Sequence, residues 1–307
     1  MAPQDRPILA LDSASLYYRS FHALPESMTA PDGRPHNAVR GFLATVSRLV
    51  AAHRPAEVVA CWDENWRPDW RVELMPSYKA HRVADAATGQ EQEPESLGDQ
   101  AEAIADLLDA AGIPRLGFSD FEADDVIGSL AALDPRRTIA VSGDRDLVQI
   151  VDERTRLLLT VNGGMEKWPL LDPASVLERY GVPADRYVDL AVLRGDPSDG
   201  LPGVPGIGAK TAAALVHAFG PVDAIMAAAD EAPDARPMTP RLAAALLASR
   251  DEVAAALIVA RVRTDLPVLD RSPAVDRDAL EGLAERWGVQ RQVADLMSAL
   301  ARHTEAE

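Results

Sequence analysis

Three short apolar runs in this chain each deliver an aspartate. Pro7 to Leu11 leads into Asp12, Glu57 to Trp62 into Asp63, and Thr138 to Ser142 into Gly143-Asp144. Runs this short and this apolar fit strands buried inside a sheet. In open α/β sheets, ligands gather outside the carboxyl ends of the strands. Three strands that each end in a carboxylate therefore point to an α/β fold with an acidic site along one sheet edge. The intervening chain supplies the helices. Ser13 to His22 reads as a helix start with Ser13 or Ser15 as its cap. Asn37 to His53 is amphipathic, with Val39, Phe42, Leu43, Val46, Leu49 and Val50 on one face. Gln100 to Ala111 is a second such helix, and Ile113 to Leu116 a further strand.

The densest chemistry lies between Phe121 and Val151. Glu122, Asp124 and Asp125 open a helix, and Asp144 and Asp146 follow the third aspartate-delivering strand. Like charges held together cost free energy unless something positive sits among them. A divalent cation such as Mg²⁺, which takes oxygen ligands, is the candidate. On this stretch alone, a solvated acidic surface is an equal alternative.

Composition narrows the partners. A formal net charge of −17 argues against a non-specific polyanion binder, so any nucleic-acid contact must be local. The cations are almost all arginine, the lysines being Lys79, Lys167 and Lys210. The single Cys61 excludes an intrachain disulfide and, beside Trp62, reads as a small core residue. No window resembles a signal peptide or an 18-residue apolar span, so a soluble cytosolic protein is expected.

Between residues 66 and 100 the apolar periodicity is lost. Arg67, Arg71, Lys79, His81 and Arg82 interleave with Trp66, Trp70 and Tyr78. That composition suits a segment that tracks a phosphate backbone and stacks on bases; a solvated loop with cation–π pairs is the alternative. Residues 84 to 99, polar and acidic, read as a mobile loop. Arg19 and His22 fit either phosphate contacts or an ordinary helix surface.

Further on, Arg156 to Val161 reads as a strand, Asn162-Gly163-Gly164 as a turn, and Asp172 to Tyr180 and Tyr187 to Arg194 as helices. Gly195-Asp196-Pro197-Ser198-Asp199-Gly200 adds two carboxylates three residues apart. Gly203, Gly206 and Gly208 follow, with Lys210 and Thr211 opening a helix that runs through Ala212 to Phe219. Glycines before a helix start allow close backbone approach to an anion. This is the shape of a helix-hairpin-helix that holds a phosphate backbone without reading sequence. It lacks the Gly-Lys-Ser/Thr of a P-loop. From residue 221 onward the chain is alanine- and leucine-rich helix, with Leu280, Leu283, Trp287, Val293, Leu296 and Leu300 placed to pack back on a core.

Six motifs in order resemble the bacterial 5′–3′ exonuclease/flap endonuclease family, the 5′-nuclease domain of DNA polymerase I and its stand-alone relatives. They are Leu-Asp-Ser-Ala-Ser-Leu-Tyr-Tyr-Arg from Leu11, Trp-Asp at 62–63, and Tyr-Lys-Ala-His-Arg from Tyr78. Phe-Glu-Ala-Asp-Asp-Val-Ile-Gly from Phe121, Ser-Gly-Asp-Arg-Asp-Leu from Ser142, and the glycine-rich run from Gly195 to Thr211 complete the set. The resemblance implies an α/β, PIN-like core with a central, mostly parallel sheet, a helical arch and a helix-three-turn-helix DNA-binding region. The corresponding divisions are 1–186 for the core with the arch at about 66–100, 187–265 for the helical domain, and 266–307 for helices packing back.

It implies that Asp12, Asp63, Glu122, Asp124 and Asp125 serve one divalent ion, and that Asp144, Asp146, Asp196 and Asp199 serve a second, Mg²⁺ or Mn²⁺. Lys79 and Arg82 match the basic pair at the arch base and, with Asp124 and Asp144, take the catalytic roles. Arg19, Tyr78, Lys79, Arg82, Gly203, Gly206, Gly208, Lys210 and Thr211 fall at DNA-binding positions, with Tyr78 stacking on a nucleotide and K⁺ held by hairpin carbonyls. Gly200, where relatives often have asparagine, is expected to matter little. The implied substrates are branched or nicked DNA with 5′ ends or flaps and RNA–DNA primer junctions. The chain would act as a monomer beside a separate polymerase or sliding clamp. Two ions would meet the needs of phosphodiester hydrolysis, namely an activated water, charge relief and a stabilised leaving oxygen. A branched-DNA-binding protein without cleavage, or a ribonuclease on a related core, are the competing readings; the complete acidic set and the hairpin count against them.

Overall fold

A computed structural model of the protein describes residues 6–85, 90–91, 93–269, 271 and 274–304. Six strands form one sheet in the order β5-β2-β1-β6-β7-β8. They are β1 (Ile8–Asp12), β2 (Glu57–Cys61), β5 (Arg115–Leu116), β6 (Thr138–Ser142), β7 (Thr155–Leu159) and β8 (Leu170–Leu171). All pairings are parallel except β7 with β8. Leu11 of β1 sits opposite Ala60 of β2 and Val141 of β6, so the three aspartate-delivering strands end at one level.

Strand alternation sorts the core into two layers. Leu9 and Leu11 face the helices α1 (Ser13–Ala23), α2 (Asn37–His53) and α4 (Gly98–Ala110), joined by α12 (Arg277–Trp287) and α13 (Gln290–Thr304). Phe42, Leu107, Leu280 and Leu296 meet in that layer. Ile8 and Ala10 point the other way, against α5 (Ala123–Leu133) through Val126, Ile127 and Leu130. Each such fully buried aliphatic side chain contributes roughly 1.5–3 kcal/mol. Together they hold the strand ends in place against the repulsion of the acids they carry.

A third apolar cluster lies in the helices α7 (Tyr187–Arg194), α8 (Ala209–Phe219), α9 (Val222–Glu231), α10 (Pro240–Ala248) and α11 (Arg250–Ala260). The short α3 (Asp69–Leu74) touches α11, and Met75 and Tyr78 after it are buried in this cluster. In the segment expected as an arch, α3 is followed by a 3₁₀ turn at Ala80–Arg82 and a two-stranded ribbon of β3 (Val83–Asp85) and β4 (Gln90–Glu91). Parts of the loop expected over 84–99, residues 86–89 and 92, lie outside the described residues. The helix α6 (Pro173–Tyr180) begins with Asp172 and Ser175 in a reciprocal capping box and ends at Gly181.

The cap expected from Ser13 or Ser15 is corrected. Asp12 caps α1, its Oδ1 accepting from the Ser15 backbone N–H at 3.0 Å. The last strand residue is therefore also the first helix cap, which fixes the carboxylate's direction.

Candidate metal centre

The ends of β1, β2 and β6 bring Asp12, Asp63 and Asp144 to one cleft of about 590 Å³, which Glu122, Asp124 and Asp196 also line. Glu122 reaches it as the cap of α5, and Asp124 from the first turn, where the helix dipole favours negative charge. Asp196 comes from the loop after α7. Carboxylate oxygens of Asp144, Asp146 and Asp199 lie within 4.8 Å of one another, close enough to share a cation. Lys79, Arg82 and Arg145 are the cations of the lining.

The electrostatics match an acidic pocket that needs a counter-ion. Burial, with Asp63 next in weight, pushes the Asp12 carboxyl up to about 7. Burial and Asp144 raise Asp199 to about 6. Burial and Asp144 hold Asp124 and Asp146 well above the ordinary range, and burial and Glu122 raise Asp63. Such groups ionise together only if positive charge joins them. An all-carboxylate donor set suits a hard divalent ion, so the residues fit the metal that the sequence implies.

Neighbours hold the acids in place. Asp12 accepts from Ser142 Oγ at 2.5 Å, Asp63 from the Ala123 N–H at 2.7 Å, and Asp144 from the Asp146 N–H at 2.8 Å. Asp196 accepts from the Ser198 N–H at 3.0 Å and from Arg194 at 3.2 Å.

Residues 7–181 match the family described as 5′–3′ exonuclease, N-terminal resolvase-like domain, and residues 182–279 the 5′–3′ exonuclease, C-terminal SAM fold. The chain belongs to the 5′–3′ exonuclease family. A 5′–3′ exonuclease of Streptomyces coelicolor is 48% identical over 302 residues, covering 95% of this chain and 99% of the relative. One of Mycobacterium tuberculosis is 48% identical over 312 residues, covering 96% and 98%. The bacteriophage T5 D15 flap endonuclease, solved as a pseudo-enzyme-product complex with DNA and metal ions, shares the fold. It has a TM-score of 0.62 at 19% identity, covering 98% of this chain and 100% of that one.

Within this family member the expected site residues divide. Asp12, Asp63, Glu122, Asp124, Asp144, Asp146, Asp196 and Asp199 converge as described. Asp125 does not line the cleft. It is fully buried against Arg71, which it pairs at 2.8 and 2.9 Å, and it accepts the backbone N–H groups of Glu122 and Arg263. Facing away from its neighbour Asp124, it closes the capping box of α5 instead of facing an ion.

Tyr78 is also corrected. At 5% exposure, with its hydroxyl donating to Glu122 at 2.6 Å, its ring is packed inside and has no face for a base. Arg19 donates to the backbone carbonyls of Val161 and Gly163 and lies over the Trp168 ring, which ties α1 to the 161–168 loop. Lys79 and Arg82 do face the cleft, Arg82 reaching Ser198 O at 2.9 Å and Asp199 at 3.4 Å.

The hairpin expectation lands on an exposed turn. Gly206, Gly208 and Lys210 are exposed, and Gly203 and Thr211 half-buried. Gly208 caps α8 without a side chain, leaving first-turn N–H groups free of a side-chain cap. Gly203 is held at φ +69, where a Cβ would stand 2.5 Å from Gly195 N, so only glycine fits. Gly200 was expected to matter little, and the structure corrects this. At φ +74, a Cβ there would sit 2.0 Å from Ser77 O, so glycine lets the Ser77–Lys79 backbone rest on the Asp196–Asp199 loop.

Sequence reasoning passed over Arg145, although it sits inside the Ser-Gly-Asp-Arg-Asp motif between two acids. It also counted Arg71 with a phosphate-tracking run. Arg71 is buried, and Arg67 donates to the carbonyls of Tyr78 and Pro76, so both serve the protein's own backbone and acids. Nothing in the local spacing distinguishes an inward arginine from an outward one.

Proposed function

We infer that the protein is a divalent-metal-dependent, structure-specific 5′-nuclease acting on DNA as a 5′–3′ exonuclease and 5′-flap endonuclease. The observation that carries this reading is the single cleft where strand-end and helix-start carboxylates meet Lys79 and Arg82 beside the loop that leads to the glycine hairpin. The named activity of the relatives supports it.

Asp12, Asp63, Glu122 and Asp124 on one side, and Asp144, Asp146, Asp196 and Asp199 on the other, are the residues to hold Mg²⁺ or Mn²⁺. When bound, such ions supply an activated water, charge relief on the phosphate and stabilisation of the leaving oxygen. Lys79 and Arg82 neutralise and orient the scissile phosphate from the arch side. The exposed turn at Gly206 to Lys210 grips the duplex backbone through N–H groups, with K⁺ on its carbonyls. An acidic chain then meets DNA only locally, and binding weakens as salt rises.

The setting that goes with this reading is cytoplasmic. The substrates are nicked or branched DNA and RNA–DNA primer junctions met during replication and repair, the protein is a monomer, and a separate polymerase or sliding clamp recruits it. The division at 1–186, 187–265 and 266–307 belongs to the same proposal.

A labelled 5′-flap duplex incubated with Mg²⁺ or Mn²⁺ tests it. Wild type should cut near the flap junction, and Asp144→Asn should lose at least roughly 100-fold in rate while still binding, since even groups one step removed from a metal matter by 10–100-fold. Flap binding without any cutting by wild type would leave a branched-DNA-binding protein instead.

A further inference from the structure

Arg71 is 2% exposed, on the inner side of the short α3 helix. Its Nη1 donates to Glu122 Oε2 at 2.5 Å and to Asp125 Oδ2 at 2.9 Å, and its Nη2 to Asp125 Oδ1 at 2.8 Å. Nε donates to the carbonyl of Val259, near the end of α11, at 3.1 Å. The guanidinium carbon lies 4.7 Å from the Trp70 ring centre and 5.8 Å from that of Tyr78. One cation thus joins two carboxylates of the α5 start to the helical layer, in the planar fork geometry that lysine cannot reproduce.

Glu122 passes this order on. Its Oε2 is taken by Arg71 and by the Tyr78 hydroxyl, and its Oε1 accepts from Lys79 Nζ. Arg71 carries one positive charge against two negative ones, and Lys79 supplies the second. Lys79 itself is held at both ends. Its backbone sits at φ 47, a left-handed conformation, with its N–H on Asp199 O at 3.0 Å, and its ammonium is on Glu122. The residue bridges the two acidic groups, and its place in the cleft depends on where Glu122 stands.

We propose that Arg71 is a positioning residue of the nuclease site, fixing the Glu122 carboxylate so that Lys79 is held at the cleft wall and not released into it. The kinetic consequence rests on the nuclease reading; the structural one does not.

The chain's three lysines make the structural consequence directly measurable. Lys79 is partly buried and ion-paired, whereas Lys167 and Lys210 are exposed. Trace acetylation of the metal-free protein, read by mass spectrometry, gives the reactivity of each. In Arg71→Met, Lys79 should react about tenfold faster relative to Lys167 and Lys210, because an ion pair with Glu122 that opens more often exposes the amine to the reagent. In parallel, single-turnover flap cleavage should fall roughly 10- to 100-fold while flap affinity in Ca²⁺ changes less than about threefold, as expected for misplaced machinery. In a Lys79→Ala background, the same Arg71→Met change should add less than about threefold, because residues acting as one unit are not additive.

Unchanged relative reactivity of Lys79, or rate losses that multiply in the double variant, would overturn the proposal. If Arg71→Met does not fold by circular dichroism, Arg71→Gln decides. It keeps a donor and adds no amine, and the proposal requires Lys79 to become more reactive there too. No cutting by wild type would sink the nuclease reading alone, and the acetylation result would still decide the role of Arg71.

Discussion

Asp124 and Asp125 are neighbours in sequence with opposite surroundings. Asp124 lines the acidic cleft, and burial and Asp144 keep its proton bound well above the usual range. Asp125 faces Arg71 in a bidentate pair and closes a capping box. Their asparagine variants should therefore separate two properties. Asp124→Asn is expected to lose cleavage at least roughly 100-fold, by the scale of groups around a metal, with no fall in the unfolding midpoint of the metal-free protein. Asp125→Asn is expected to lose roughly 3–5 kcal/mol of stability, the scale for breaking one side of a buried ion pair. Urea unfolding and flap cleavage on both variants check this; equal stability losses would contradict the assignment.

At the scale of elements, α5 is the hinge of the architecture. Its start presents acids to the cleft, and its flank carries the segment that returns from the helical layer. Arg263 N–H bonds Asp125 at 2.8 Å, and Leu266 N–H bonds Ser129 Oγ at 3.1 Å. Gly128 makes that approach possible, since a Cβ there would lie 2.5 Å from Arg263 O and 2.7 Å from Val262. Helix propensity alone favours Gly128→Ala by about 1 kcal/mol. Overpacking against a backbone oxygen opposes it by about 1–3 kcal/mol. Net destabilisation is expected, read as a lower denaturation midpoint at unchanged slope; a stabilised variant would show that the strap moves freely.

For the whole molecule, the acidic cleft couples stability to pH and to metal. Asp12 at about 7 and Asp199 at about 6 in the fold compare with the ordinary 3.8 of a free aspartate. The unfolded chain therefore releases these protons first as pH rises, so the metal-free fold loses stability between about pH 4 and 7. Divalent ions bind the ionised carboxylates and oppose that loss. The rise in Tm on adding Mg²⁺ or Mn²⁺ should be larger at about pH 8 than at about pH 5.5, by thermal unfolding against EDTA controls. Equal shifts at both pH values would mean that these acids do not hold the ion.

Much of this was legible in the chain. Buried runs ending in Asp12, Asp63 and Asp144 prescribe a sheet edge, because strand length and apolarity are local properties. The helix over 37–53 follows from apolar periodicity for the same reason. The acids that meet were each named, since their types and order carry the chemistry. What tertiary structure alone decided is direction. Tyr78 and Arg71 turn inward because Glu122 offers them a buried acceptor. Asp125 turns away from Asp124 because successive residues at a helix start diverge by about 100°. Gly200 matters because the backbone of Ser77, far off in sequence, comes to rest on it. Composition and spacing specify which groups are available; only the packed chain specifies which of them face one another.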